Sequence, residues 1–246
     1  DQCARGRAAR LGANAASEDS CVTWRLQSDM AYRRRGLTVP LDLDIGHRSR
    51  RLEQLQQTLT AASAGSRVEL RGSLRDGMAD LYSDIDLLWL VTAARFGAAC
   101  DTLEQTLATI DAVDALRWDP DTDDPRRRLV FARFVDDPLF WRVDLEIRAE
   151  GDSLLQSPTL PDQPWSQTHS ALMCAVAAIR ALLRDESAVA AQLVSSGFEK
   201  IHIPVSGGSA PDQILALTDT IYDADDTWAL LATRVRDLHQ QALIDS

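Results

Sequence analysis

Apolar residues along the chain follow two different periods, one typical of helices and one typical of strands. Leu52, Leu55 and Leu59 lie three and four residues apart, which predicts an amphipathic helix over residues 45–62. Two short apolar stretches follow it, each flanked by turn-forming residues, and we predict strands at 67–71 and 83–91. Residues 74–82 between these strands are predicted to form a short helix or a loop.

Two segments in the middle of the chain have the period of two that is typical of strands. They are residues 129–135 and 139–147, and the turn sequence Asp136-Asp137-Pro138 separates them, so we predict a β-hairpin. Successive side chains of a strand point to opposite faces. In the second strand, Val143, Leu145 and Ile147 are therefore expected on one face. Arg142, Asp144 and Glu146 are expected on the other face. A strand with acidic side chains on one face is therefore available to meet another acidic strand.

Helical spacing of apolar residues dominates the remaining segments. It predicts helices over residues 101–116, 167–183, 187–195, 211–222 and 224–243. One extended piece is expected at 200–205, before the flexible loop Ser206-Gly207-Gly208-Ser209. Pro158, Pro161 and Pro164 mark a change of composition, where we place a domain boundary.

These elements predict an α+β protein with three parts. Residues 1–44 show no steady period and are expected to form a partly disordered leader, 45–150 a mixed sheet flanked by helices, and 165–246 a helical domain.

Charge and cysteine content exclude several classes of protein. The net charge of −11 argues against a dedicated nucleic-acid binder, which usually carries a basic face. The four cysteines, Cys3, Cys21, Cys100 and Cys174, have no zinc-ligand spacing and are expected to be reduced thiols in a cytoplasmic protein. No apolar run approaches the length of a membrane span.

The candidate chemistry lies around the second predicted strand. Asp84 and Asp86 are two residues apart and are expected on one face of it, a fixed distance after Gly72-Ser73. Adjacent carboxylates repel each other unless a cation neutralises them, and hard cations such as Mg²⁺ take oxygen ligands together with substrate phosphates. This pattern indicates metal-dependent phosphoryl or nucleotidyl transfer, with Asp144 as a third carboxylate.

The stretch from Gly72-Ser73 to Ser83-Asp84-Ile85-Asp86 resembles the signature of the DNA polymerase β-like nucleotidyltransferase superfamily. The resemblance covers about a third of the chain, from Arg67 to Ile147, and its spacing is similar to that of small antibiotic (aminoglycoside and lincosamide) nucleotidyltransferases. It implies a polymerase β-like mixed sheet in which Gly72 and Ser73 bind the triphosphate, and Asp84, Asp86 and Asp144 are catalytic and hold Mg²⁺.

The sequence departs from this pattern at one position and leaves one role open. Many relatives have Arg-Gly after Gly-Ser-x-x where this chain has Asp76-Gly77, and Arg75, one position earlier, is the expected triphosphate-binding substitute. Glu146 competes with Asp144 for the role of third carboxylate, and the resemblance favours Asp144.

By resemblance, the expected activity is Mg²⁺-dependent transfer of AMP from ATP, or of another nucleoside monophosphate, to a hydroxyl of a small acceptor such as an antibiotic. An alternative is a toxin–antitoxin type of nucleotidyltransferase that binds or adenylylates a partner protein. A third is a nucleotide-binding module without activity. No membrane partner is expected, and a nucleic-acid partner is disfavoured.

Overall fold

The computed structural model of the protein describes residues 41–120, 123–160, 165–224 and 226–244. The predicted leader lies outside these residues except for 41–44. The helices of the described ranges are α1 (Ile45–Ala62), α2 (Gly72–Arg75), α3 (Phe96–Asp101), α4 (Leu103–Ala108), α5 (Gln167–Leu183), α6 (Ser187–Lys200), α7 (Ala210–Ala224) and α8 (Ala229–Leu243). The strands are β1 (Arg67–Leu70), β2 (Ile85–Thr92), β3 (Val113–Trp118), β4 (Arg127–Phe134) and β5 (Val143–Glu150).

The strands form one five-stranded mixed sheet in the order β1-β2-β5-β4-β3. β2 and β5 are parallel and lie side by side, whereas the other neighbouring pairs are antiparallel. The predicted α+β class with a mixed sheet flanked by helices is confirmed. The order places the second predicted strand next to the acidic strand of the predicted hairpin.

One face of the sheet is buried and the other carries polar side chains. Alternate residues of β2 and β5 point into the buried face, namely Ile85, Leu87, Trp89, Val91, Val143, Leu145, Ile147 and Ala149. Apolar residues of α1, α3 and α4 cover this face; they include Leu55, Leu59, Phe96 and Leu103. Since successive strand residues alternate, Asp86, Asp144 and Glu146 lie on the opposite face.

The four C-terminal helices, α5 to α8, pack around a second apolar core. Leu139, Phe140 and Trp141, from the connection between β4 and β5, are buried in that core. The hairpin prediction is therefore correct in its pairing but wrong for residues 139–142, which leave the sheet and bury their apolar side chains among the helices. The Trp141 indole N–H also donates a hydrogen bond to the carbonyl of Leu81 (2.9 Å).

Two other predicted elements differ from the structure. The helix predicted over residues 101–116 ends at Ala108, and Val113 begins β3, because pairing with β4 outweighs the helical spacing of the apolar residues. The extended piece predicted at 200–205 is not a strand. The amides of Ile201 and Ile203 donate to the carbonyl of Phe198 and close the end of α6.

None of the helices in the described ranges combines the length and the apolar character needed to cross a membrane.

Candidate active site

Asp86 and Asp144 face each other across the parallel pair β2–β5. The strand register places them directly opposite, so both carboxylates lie on the polar face of the sheet. Asp84 lies one residue before β2, because the strand begins at Ile85, whose amide donates to the carbonyl of Arg142 (2.9 Å). The prediction that both aspartates lie within one strand is therefore wrong for Asp84, although its charge still acts on Asp86 and Asp144.

Burial and the negative charges of neighbouring carboxylates raise the pKa of Asp86 and the pKa of Asp144. The pKa of Asp86 is raised first by burial and then by the negative charges of Asp84 and Asp144. The pKa of Asp144 is also raised, mainly by burial, with a contribution from Asp84. The site therefore contains carboxylates whose charge is only partly compensated, and a bound cation would relieve their repulsion.

Two arginines that the sequence interpretation missed already contact this group. The guanidinium of Arg142 donates two hydrogen bonds to Asp144, through Nε (2.5 Å) and Nη2 (2.6 Å). Nη1 of Arg180, on α5, lies 3.1 Å from Oδ2 of Asp84. Alternation along the predicted strand 139–147 places Arg142 and Asp144 on one face and could have indicated their pairing. No local signal connects Arg180 with Asp84, which lies 96 residues earlier in the chain.

The Gly-Ser turn packs directly against Asp86. Gly72 has φ +53, a conformation that glycine adopts without steric cost, and it begins the single turn of α2. A Cβ at this position would lie 2.2 Å from Oδ2 of Asp86. The amide of Arg71 donates to the carbonyl of Asp86 (2.9 Å), which fixes the turn to the strand. Gly72 thus lies beside the Asp86 carboxylate, and Ser73 follows it in the same turn.

Arg75 and Glu146 are engaged elsewhere. Arg75 is exposed and forms an ion pair with Asp76 (2.8 Å), and within the described ranges it makes no polar contact with the three aspartates. Glu146 lies opposite Leu88 and forms ion pairs with Arg148 and Arg127. The register therefore gives Asp144, and not Glu146, the position opposite Asp86.

The donor set suits a hard divalent cation that is completed by substrate. Among the described residues, no three His, Cys, Asp or Glu side chains are arranged to hold a metal ion by themselves. Mg²⁺ commonly uses only one or two protein carboxylates, together with phosphate oxygens and water. The opposed pair Asp86 and Asp144 meets that requirement, and the lack of a side chain on Gly72 lets the turn pack against the Asp86 carboxylate.

No protein-family model matches this sequence, and no curated protein shows significant similarity to it. The chemistry of the site is therefore inferred from its residues and their geometry.

Proposed function

We propose that the protein is a Mg²⁺-dependent nucleotidyltransferase that moves a nucleoside monophosphate, AMP from ATP in the first instance, to a hydroxyl of a small-molecule acceptor. One observation carries this proposal. Asp86 and Asp144 oppose each other on adjacent parallel strands, and the Gly72-Ser73 turn packs against Asp86. Carboxylates beside a turn that phosphate can approach are the parts that phosphoryl-group chemistry requires.

In this reaction the acceptor oxygen forms a bond to the α-phosphorus, and the bond from that phosphorus to the bridging oxygen breaks. Pyrophosphate leaves, and the proton of the acceptor hydroxyl goes to a base or to water. A bound Mg²⁺ supplies charge neutralisation for the phosphates and lowers the pKa of an oxygen that it coordinates.

The chain's own residues divide into three roles. The backbone of Gly72 and the Ser73 hydroxyl bind the phosphates, because a glycine turn lets amides approach closely. Asp86 and Asp144 would hold the cation, and Asp84, one residue before β2, adds its negative charge beside them. Arg142 and Arg180 form ion pairs with Asp144 and Asp84, and their guanidinium groups can instead bind phosphate oxygens of the substrate.

The proposal is tested by incubating the purified protein with Mg²⁺, each nucleoside triphosphate and a panel of acceptors, including antibiotics and protein hydroxyls. We expect pyrophosphate release and a product heavier by one nucleotide. Asp86→Asn should abolish turnover while the fold survives, because the change keeps size and removes charge. Glu69→Gln, which removes an exposed acid from β1, is the matched control.

Wild-type turnover in Asp86→Asn would refute the assignment, as would the absence of pyrophosphate with every acceptor. Nucleotide found on a protein hydroxyl, and on no small molecule, would favour the toxin–antitoxin type of activity instead.

A further inference from the structure

A second group of side chains lies on the same face of the sheet, on the far side of the carboxylates from the Gly-Ser turn. Directly opposed residues form a row across four strands, which runs Asp86 (β2), Asp144 (β5), Phe131 (β4) and Arg117 (β3). Neighbouring strands are about 4.8 Å apart, so Arg117 lies roughly 10 Å from Asp144 along this row. Gly72 packs at the opposite end, against Asp86.

Buried nitrogen atoms without hydrogen-bond partners cluster at the Arg117 end of the row. Within the described part of the chain they include Nη1 of Arg117, Nε of Arg133 and Nε2 of His169. Arg133 is 6% exposed and His169 is 7% exposed. Buried polar groups are nearly always paired, so several unpaired ones in one place indicate a missing partner.

These groups share one charge environment, which is positive. The pKa of His169 is held well below its usual value, first by burial and then by the charges of Arg133, Arg117 and Arg142. Asp114 pairs with Arg133 (3.1 Å) and Asp144 pairs with Arg142 (2.5 Å). Arg117 has no carboxylate partner in the described ranges, and burial lowers its pKa.

Aromatic rings border these groups, and one of them, Trp165, reaches the solvent. The Arg117 guanidinium lies 4.4 Å from the centroid of the Trp165 ring, and Trp165 is 36% exposed. Phe131 and Trp165 meet edge to face, with centroids 6.1 Å apart. His169 lies in the first turn of α5, where the helix dipole adds partial positive charge.

We infer that Arg117, Arg133, His169 and Trp165 form a pocket that binds a carboxylate or phosphate group of the acceptor substrate. The inference rests on the proposed function for the identity of that ligand. In an in-line displacement the acceptor approaches opposite the leaving group. With the triphosphate at the Gly72 turn, the acceptor comes from the β4–β3 side, where Arg117 has no carboxylate partner among the described residues. The preferred acceptor is therefore anionic, and a polycationic aminoglycoside is disfavoured.

The test is an NMR titration of the full chain, followed through the indole N–H signal of Trp165, with Mg²⁺ and a non-hydrolysable ATP analogue at saturation. Inorganic phosphate and acetate are the anionic probes, and acetamide is the neutral isostere of acetate. We expect phosphate or acetate to shift the signal saturably and acetamide to leave it unchanged. The anion that binds with the higher affinity identifies whether the pocket prefers a phosphate or a carboxylate group.

Arg117→Gln should weaken anion binding by roughly tenfold to a hundredfold, the loss typical of one charged hydrogen bond. Arg117→Lys should retain part of the binding. The matched control is Arg148→Gln, which removes a half-exposed arginine from the same face of the sheet and should have no effect. Binding of the ATP analogue should be the same in all variants.

Equal effects of Arg117→Gln and Arg148→Gln would overturn the inference, because general charge would then explain the binding. If Arg117→Gln no longer bound the ATP analogue, the inference would also be overturned, because Arg117 would then belong to the nucleotide site. If the protein transferred nucleotide to neutral acceptors and bound no anion, the proposed function would be supported and only this inference would be contradicted. Anion binding that requires Arg117, in a protein that releases no pyrophosphate, would support the pocket and contradict the proposed function.

Discussion

Substitution of Gly72 by alanine tests whether the glycine turn sets the position of the Asp86 carboxylate. An added Cβ would lie 2.2 Å from Oδ2 and 3.0 Å from Cγ of Asp86. Non-bonded heavy atoms rest at about 3.5 Å, so the turn and the carboxylate must separate by about 1 Å. The backbone must also hold alanine at φ +53, which disfavours any side chain.

The expected effects follow from these two costs. A left-handed alanine costs about 1–2 kcal/mol, which in a chain of this size lowers the Tm by roughly 2–8 °C. A displacement of about 1 Å in a catalytic group reduces turnover about a hundredfold. Gly77→Ala is the matched control, because Gly77 has φ +68 and an added Cβ would meet no atom within 4 Å.

The assay is pyrophosphate release under saturating Mg²⁺ and nucleotide, combined with thermal melting of both variants. We expect a loss of Tm in both variants, larger in Gly72→Ala because of the added clash, and a large loss of turnover only in Gly72→Ala. Equal turnover in the two variants would refute the reasoning, because the clash with Asp86 would then have no consequence for the chemistry.

Two further predictions concern charges near the site. Arg142→Met leaves the largely buried Asp144 without its partner, so we expect the Tm of the metal-free protein to fall. Adding Mn²⁺ should then raise the Tm of the variant more than it raises the Tm of the wild type. An equal rise in both proteins would contradict a cation at Asp144. His169 is buried and its folded-state pKa lies well below 6.5. Below about pH 6.5 the unfolded chain therefore binds more protons than the folded chain, and the free energy of unfolding decreases as the pH is lowered. His169→Gln should reduce the slope of Tm against pH in that range, and an unchanged slope would contradict the buried neutral imidazole.

The sequence predicts those parts of the site that depend on local spacing. Helix α1 has the predicted limits of Ile45 and Ala62, because both its apolar period and its Asp44 cap are local features. The alternation in β5 correctly places Val143 in the core and Asp144 on the polar face. The sequence predicts Asp84 within the strand, but Asp84 lies just before β2, since strand limits depend on pairing partners that the sequence does not show.

Long-range contacts account for what the sequence could not predict. The residues at 110–116 fit a helical period, yet Val113 begins β3 because β4 offers a pairing partner. Trp141 continues the alternating pattern of the predicted hairpin but is buried among the C-terminal helices. The arginine contacts of the site join residues as far apart as Asp84 and Arg180, which only the folded chain brings together.

The charges of the whole chain and of the site have opposite effects on an anionic substrate, and distance decides between them. The net charge of −11 repels nucleotides and anionic acceptors at long range. At physiological salt the screening length is about 8 Å, so charges on distant surfaces contribute little inside the cleft. Arg117, Arg142 and Arg180 lie within the site itself, and each is at least half buried, where screening is weak. We therefore expect the local arginines to determine which ligand charge the site accepts and the acidic exterior to slow the ligand's approach. Added salt should then raise the association rate of ATP.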